Sequence, residues 1–318
     1  MNKYIKMAFA SACCVLFAQC SDFLETSSPS NTDDEFVTSS PAETLKTLSR
    51  AYALSRESCN GAYDCNVHYR SDIVYFPENN TSNNIIPVTV QANECAGGVA
   101  GVNCGSIALD STTLQVNITA ESYAGGIAGS NNTRNATTAS IEGGKVTGTV
   151  TATKNYAGGA AGANYANITN VTLIGGACVR ANDQFAGGIA GSNRAGSGQN
   201  GTITGCTNTA KPNGNNYTVY ATNGNAGGIA GSNEKGAQII NAGVDNGVKI
   251  GVAKCDAAGI AAKNFGIITG GTVGSCDITF AGESIGAVTA INNAGATISG
   301  VTLTGGATIA FHGPATNV

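Results

Sequence analysis

The chain holds two histidines, His68 and His312, and they lie far apart. A Ser-His-Asp or Cys-His relay needs an imidazole beside both a nucleophile and an orienting acid. Neither histidine meets that need, and His312 reads as a solvated residue near the C-terminus. No HExxH helix or other zinc spacing occurs. Four acids, Asp183, Asp245, Asp256 and Asp277, could serve a glycan lyase or hydrolase, but that chemistry clusters its carboxylates on one face. Here they fall in different phases of a repeat. The expectation is no catalytic residue, no metal and no cofactor. GGxxG recurs along the chain without a following helix, which excludes a phosphate loop, since that motif occurs once between strand and helix. The Asp ladder of calcium-binding nonapeptides is absent as well.

The first residues read as an address. Lys3 and Lys6 precede a 12-residue apolar stretch, Met7–Ala18, too short to span a bilayer and suited to a secretory signal. Leu16-Phe17-Ala18-Gln19-Cys20 resembles a bacterial lipobox, with Gln19 where a small residue is usual. The resemblance implies that residues 1–19 are removed and that Cys20 is acylated. Several acyl chains, at about 0.8 kcal/mol per buried methylene, would anchor the protein to a membrane.

The segment after Cys20, Ser21-Asp22-Phe23-Leu24-Glu25-Thr26-Ser27-Ser28-Pro29, resembles the mature start of SusD-like nutrient-binding lipoproteins of Bacteroidota. The likeness runs over residues 16–76, through Asp33-Asp34-Glu35-Phe36 and the Ser39–Tyr52 segment to Ser71-Asp72-Ile73. It implies a lipid-anchored protein of a Gram-negative outer membrane, exposed at the cell surface. The long helical repeats of that family are missing, so its glycan-binding activity is not carried over. Within residues 20–84, Ser40-Pro41-Ala42-Glu43 is a helix start with Ser40 as N-cap and Glu43 closing a capping box. Leu45, Leu48 and Tyr52 then share one face, predicting a helix over residues 41–56.

From there the chain changes character. Gly61 is the sole glycine before residue 97, and 43 follow in the remaining 222 residues. Charged residues number 17 in the first 96 positions and 19 in the rest, 10 of those basic and 9 acidic. A basic stripe is lacking, which argues against nucleic acid as a partner. The octapeptide AGGIAGSN occurs verbatim at Ala124–Asn131, Ala186–Asn193 and Ala226–Asn233, with looser copies starting at Ala96, Ala157, Ala257 and Ile285. Successive starts are 28, 33, 29, 40, 31 and 28 residues apart. Such a period marks a stacked array with one structural unit per repeat.

A second anchor follows each copy: Ile107, Ile141, Ile168, Ile203, Ile239, Ile268 and Ile298. From motif Asn to that Ile the distance is 4, 10, 4, 10, 6, 4 and 6 residues, so length varies mainly in one connection. Three short runs per unit (GGIAG, the Ile-centred run, and a Val/Thr run) predict an all-β parallel β-helix of about seven coils over residues 85–318. Asn103, Asn131, Asn164, Asn193, Asn233, Asn264 and Asn292 should stack as an amide ladder at one corner, where Asn would supply a left-handed backbone. Tyr123, Tyr156 and Phe185 precede three motif starts and predict a stacked aromatic file.

These residues carry a likeness. G-G-I-A-G-x-N, followed by an Ile-centred run and a Val strand, is similar to the GLUG repeat of bacterial adhesins and of non-catalytic regions of surface peptidases. It covers residues 96–318, and it implies a secreted or surface module without naming a ligand. Taken with the N-terminal address, it points to a lipoprotein that binds, adheres or scaffolds. The alternatives are an accessory of a SusC/SusD-type glycan uptake system, partnered by a TonB-dependent porin, and a glycan-degrading β-helix enzyme.

The variable connections Asn132–Ser140 and Arg194–Thr202, with Lys211–Asn216 on a neighbouring edge, form the expected binding rim for an unidentified glycan or protein. Arg134, Arg194 and Lys211 are its cations. Past Gly305 no helix or further repeat is legible, so self-association through the C-terminal rung is expected. Of the 11 cysteines, Cys13, Cys14 and Cys20 are consumed by the signal and the lipid. Cys59–Cys65, across a polar loop, is the expected disulfide. Cys95–Cys104 is disfavoured, because a strand between them would separate their Cα atoms beyond ~7 Å. The other four read as small core fillers.

Overall fold

Ile and Val alternate with small or polar residues, so each strand has one apolar face, and those faces turn inward. The computed structural model describes residues 74–75, 85–132, 138–196, 199–212, 216–305 and 308–311. The chain divides into two units, Met1–Asn66 and Val67–Val318, and everything described belongs to the second. Cys20, the helix expected over residues 41–56, Cys59, Cys65, both histidines and Arg134 lie outside the described residues.

The second unit is an all-β parallel solenoid of seven coils. In the third coil the chain runs through Tyr156–Gly158, Ala161–Asn164, Asn167–Thr169, Thr172–Leu173 and Cys178–Ala181. The first two strands belong to separate seven-stranded sheets, and the last three share a third sheet of nineteen strands. In the first two coils those three segments fuse into single strands, Ser106–Ala120 and Ser140–Ala152. The third sheet also reaches back before the first coil: Ile85–Ala92 pairs in parallel with Thr113–Ala120, and Val74–Tyr75 with Ile107–Ala108. No helix occurs among the described residues, and none there could cross a membrane.

The second-anchor isoleucines stack in unbroken register from Ile107 to Ile298. All but the last are buried. Each buried Ile contributes about 1.5–3 kcal/mol of transfer free energy, an upper figure because it assumes an extended unfolded chain. A parallel file of Val and Ile runs through Ile118, Val150, Val179, Val219, Ile250 and Ile278. In the seventh coil Ile298 and Leu303 are 37% and 55% exposed.

Two expectations need correction. The GGIAG run is not one strand: a tight Gly-Ile turn splits it between the two short sheets. A Cβ at Gly158 would collide with the Ala161 carbonyl across that turn. One at Gly159 would lie 2.7 Å from Leu173 Cδ1 on the opposite sheet. The glycines therefore close the arc and leave room for the large side chains of the third sheet.

Nor do the ladder asparagines adopt a left-handed backbone. That conformation sits at another corner, just after the Ile-centred strand, at Asp110, Gly143, Asn170, Gly205, Asn241, Gly270 and Gly300, with φ between 43° and 70°. Every coil has such a residue at this corner, and each is Gly, Asn or Asp, the types that enter this region at least cost; the other positive-φ positions are all glycines.

Candidate functional site

The ladder asparagines end the strands of the second short sheet and point into the coil. Each donates from Nδ2 to the Oδ1 of the next, at 2.8–2.9 Å, from Asn103 through to Asn292. The second amide hydrogen goes to a backbone carbonyl, as from Asn131 to Asn167 and from Asn193 to Gln238. Oδ1 also accepts the backbone N–H two residues on, at Gly105, Ala166 and Gly266. From Asn103 to Asn264 these amides are buried and satisfied, and only Asn292 in the last coil is exposed, which makes them a spine for the corner and leaves them little capacity for a ligand.

The outer surface of the two short sheets is different. One file on the first sheet runs Cys95, Tyr123, Tyr156, Phe185, Asn225, and Asp256 takes the next place. A facing file on the second sheet runs Val102, Ser130, Ala163, Ser192, Ser232, Lys263, Ile291. Long side chains join the files across a trough. Tyr123, Tyr156 and Phe185 stack at centroid separations of 5.3 and 5.9 Å, with planes 16° and 7° apart. The rings stack on one another and Arg194 lies over Tyr156, so the file is not an open aromatic platform on which a sugar ring would lie. Burial raises the Tyr123 phenol pKa, with the Tyr165 phenol adding to it and Arg194 opposing it.

Arg194 closes the trough over this file. Its guanidinium lies 4.4 Å above the Tyr156 ring and 5.8 Å from that of Tyr165. Nε donates to Ser192 Oγ at 2.9 Å, and Nη1 to Tyr165 Oη at 3.0 Å. Burial alone would lower its pKa, but the Tyr165 hydrogen bond and the neighbouring phenols hold the pKa above the usual arginine value. Arg194 also begins one of the two longest corner connections. Gly201 N–H donates to the Arg194 carbonyl and Gly196 N–H to that of Gln199, and Ala195 bridges Asn200 in antiparallel fashion. The expected rim residue is thus folded down onto the solenoid beside the Ala195–Asn200 bridge.

Two coils further on, the trough holds a charge pair instead. Lys263 Nζ is 3.4 Å from Asp256 Oδ2, and Asp256 is 1% exposed with no hydrogen bond to either carboxylate oxygen. Lys211, the third rim cation, stands at another edge, over a cleft of about 310 Å³ shared with Val244, Asp245, Asn246, Thr272, Gly274 and Thr304. The structure therefore does not bring Arg194 and Lys211 together. The four acids also stay apart: Asp183 accepts from Asn223 in a turn, Asp245 lines the Lys211 cleft, Asp256 sits in the trough, and Asp277 pairs in register with Lys249. Among the described residues no group of three or more His, Cys, Asp or Glu could hold a metal. Cys206 and Cys276 are buried, and Cys178 and Cys255 half-buried.

Sequence reasoning missed Tyr165, Ser192 and the Asp256–Lys263 pair. The signal was available in the aligned copies. Tyr165 and Arg194 both follow a ladder Asn, and Asp256 and Lys263 fill the Tyr and Ser places of the sixth copy.

The geometry defines the class as a parallel β-solenoid. No family model and no curated protein matches the chain. A crystal structure of a "putative immunoglobulin A1 protease" from Bacteroides ovatus is similar at 17% identity and a TM-score of 0.46. The similarity covers 72% of this chain and 60% of that one, so this chain spans less than two thirds of its length.

Proposed function

We propose that this chain is a surface-exposed, lipid-anchored protein of a Gram-negative outer membrane. In this reading it binds a glycan or protein ligand through its solenoid, as an adhesion or scaffolding module rather than a catalyst. One observation carries the proposal. Strands stay in register from coil to coil, save for shifts between Ala108 and Thr113, while the corner after the ladder Asn varies in length, and that corner carries the Ala195–Asn200 bridge and Arg194. A rigid scaffold with one variable loop face is how binding surfaces are commonly built. The GLUG-like and SusD-like resemblances support the same reading, and Cys20 is its anchor.

The test has two arms. Palmitate labelling lost on Cys20→Ala, with protein accessible to protease on whole cells, supports the location, and label retained in that variant refutes it. A glycan and host-protein array probed with the mature chain should return a saturable ligand without turnover. Bond cleavage in a bound glycan or protein would instead favour an enzyme, and co-purification with a TonB-dependent porin an uptake accessory. The exposed Ile298 and Leu303 of the seventh coil support self-association there. Sedimentation of the mature chain should show oligomers that Leu303→Lys disperses.

A further inference from the structure

Arg194 is a half-buried cation whose partners carry no formal negative charge: Ser192 Oγ, Tyr165 Oη and the Tyr156 ring. Among the described residues no carboxylate forms an ion pair with it. Glu234 follows the ladder Asn one coil on and its backbone N–H bonds to Asn193, yet its side chain is not at ion-pair distance from the guanidinium. The corner segments outside the described residues, 133–137 and 197–198, contain no acidic residue either.

A guanidinium has five N–H donors in a fixed planar fork. One is spent on Ser192, one on Tyr165 and a third is drawn on by the Tyr156 phenol, which leaves two. The two spent bonds and the Tyr156 ring hold the fork in place, so little rotamer entropy remains to be lost when a ligand docks. The remaining donors suit a planar carboxylate bound in two-pronged fashion. Around them stand the hydroxyls of Ser192, Tyr165 and Tyr156, the kind of polar groups that meet a sugar's hydroxyls.

We propose that Arg194, flanked by Tyr156 and Tyr165, is the recognition point for a carboxylate-bearing sugar, making the ligand class of this module an acidic glycan. The inference rests on the binding function proposed above and sharpens it. The carboxylate takes the open edge of the guanidinium, Tyr165 Oη keeps the fork oriented while offering its lone pair to a sugar hydroxyl, and the aromatic file beneath holds the arginine up. Two sources of that carboxylate, a uronic acid and a sialic acid, share the same chemistry.

The full mature chain is titrated by calorimetry with oligogalacturonate, with 3′-sialyllactose, and with their neutral counterparts, carboxyl-reduced oligogalacturonate and lactose. Binding to one acidic probe, tighter than to its neutral counterpart by tenfold or more, is expected, and the probe that binds names the source. Arg194→Gln should abolish that preference. Arg194→Lys should retain part of it, since charge survives but the fork does not. Should Arg194→Gln fail to fold, Tyr165→Phe serves in its place: it leaves the ring, removes the hydroxyl that orients Nη1, and should weaken the acidic probe severalfold while leaving the melting temperature within a few degrees. If the chain binds a neutral glycan or a protein and ignores both acidic probes, this inference falls and the binding function stands. If it binds nothing on the array or in the calorimeter, both fall. An acidic probe bound equally by the parent chain and by folded Arg194→Gln also overturns the assignment.

Discussion

Two corners of the same coil solve one problem by opposite means. Each must turn the chain sharply without stranding backbone polar groups away from water. The first uses side chains: seven asparagines bind each other along the axis and fasten the corner carbonyls. The second uses backbone: a left-handed residue at this corner in every coil, with no side-chain identity required beyond Gly, Asn or Asp. A corner built from a shared hydrogen-bond chain depends on every coil at once. A corner built from local conformation depends only on its own residue. The first should therefore be intolerant of substitution and the second permissive.

The largest expected effect comes from breaking the ladder at its middle. Asn193→Leu removes two donated bonds and leaves the Asn164 amide and the Gln238 carbonyl without their partner. The cost should be about 2–4 kcal/mol, since buried groups lose partners on both sides, read as a lower denaturation midpoint in urea. Asn193→Asp should be nearly as damaging, because a carboxylate cannot donate to Asn233. Equal stability of either variant and the parent would remove the ladder from the account.

Next in size is the glycine arc. Gly159→Ala places a methyl 2.7 Å from Leu173 Cδ1 and against the Gly188 carbonyl, an overpacking cost of about 1–3 kcal/mol. The double variant Gly159→Ala with Leu173→Val should recover part of it if the clash with Leu173 is the cause.

At the second corner the contrast is tested directly. Asn170→Gly and Gly205→Asn exchange types already found there and should shift stability by less than about 0.5 kcal/mol, since both tolerate the left-handed region. Gly205→Val should cost about 1–2 kcal/mol at the same site, because a β-branched residue does not. A neutral Gly205→Val would show that the positive φ there is not needed.

The smallest effect is confined to alkaline solution. Burial pushes the Cys206 thiol from 9.0 up to about 12, partly offset by backbone N–H bonding. The folded state thus keeps the neutral thiol while the unfolded chain releases its proton near pH 9. The stabilising contribution is complete below that point and is lost as pH rises toward 12, with a slope of at most about 1.4 kcal/mol per pH unit. Cys206→Ala should flatten that part of the pH profile. In the native protein Cys206 should also resist iodoacetamide until unfolding, whereas half-buried Cys178 and Cys255 should react before it.

The first corner was legible because its device is a residue type: the same Asn returns at the same phase, and a recurring amide beside a strand reads as a ladder. The second was not, because Asn170, Gly205 and Asn241 vary in type, and only φ unites them. The candidate site divides likewise. The variable connections announced themselves by length, and Arg194 by being one of three arginines after residue 96. Its posture did not, since a side chain drawn as reaching outward lies on Tyr156 instead.

By itself, then, the sequence determined the number of coils, the parallel stack and the ladder, because these depend on periodicity, and periodicity is a property of order along the chain. The tertiary structure alone decided which residues 7 to 38 positions apart meet across the trough: Asp256 with Lys263, Arg194 over Tyr156. Those encounters depend on how tightly the glycine arc folds one short sheet against the next. That angle is set by steric contacts among backbone atoms of neighbouring coils, which no single repeat contains.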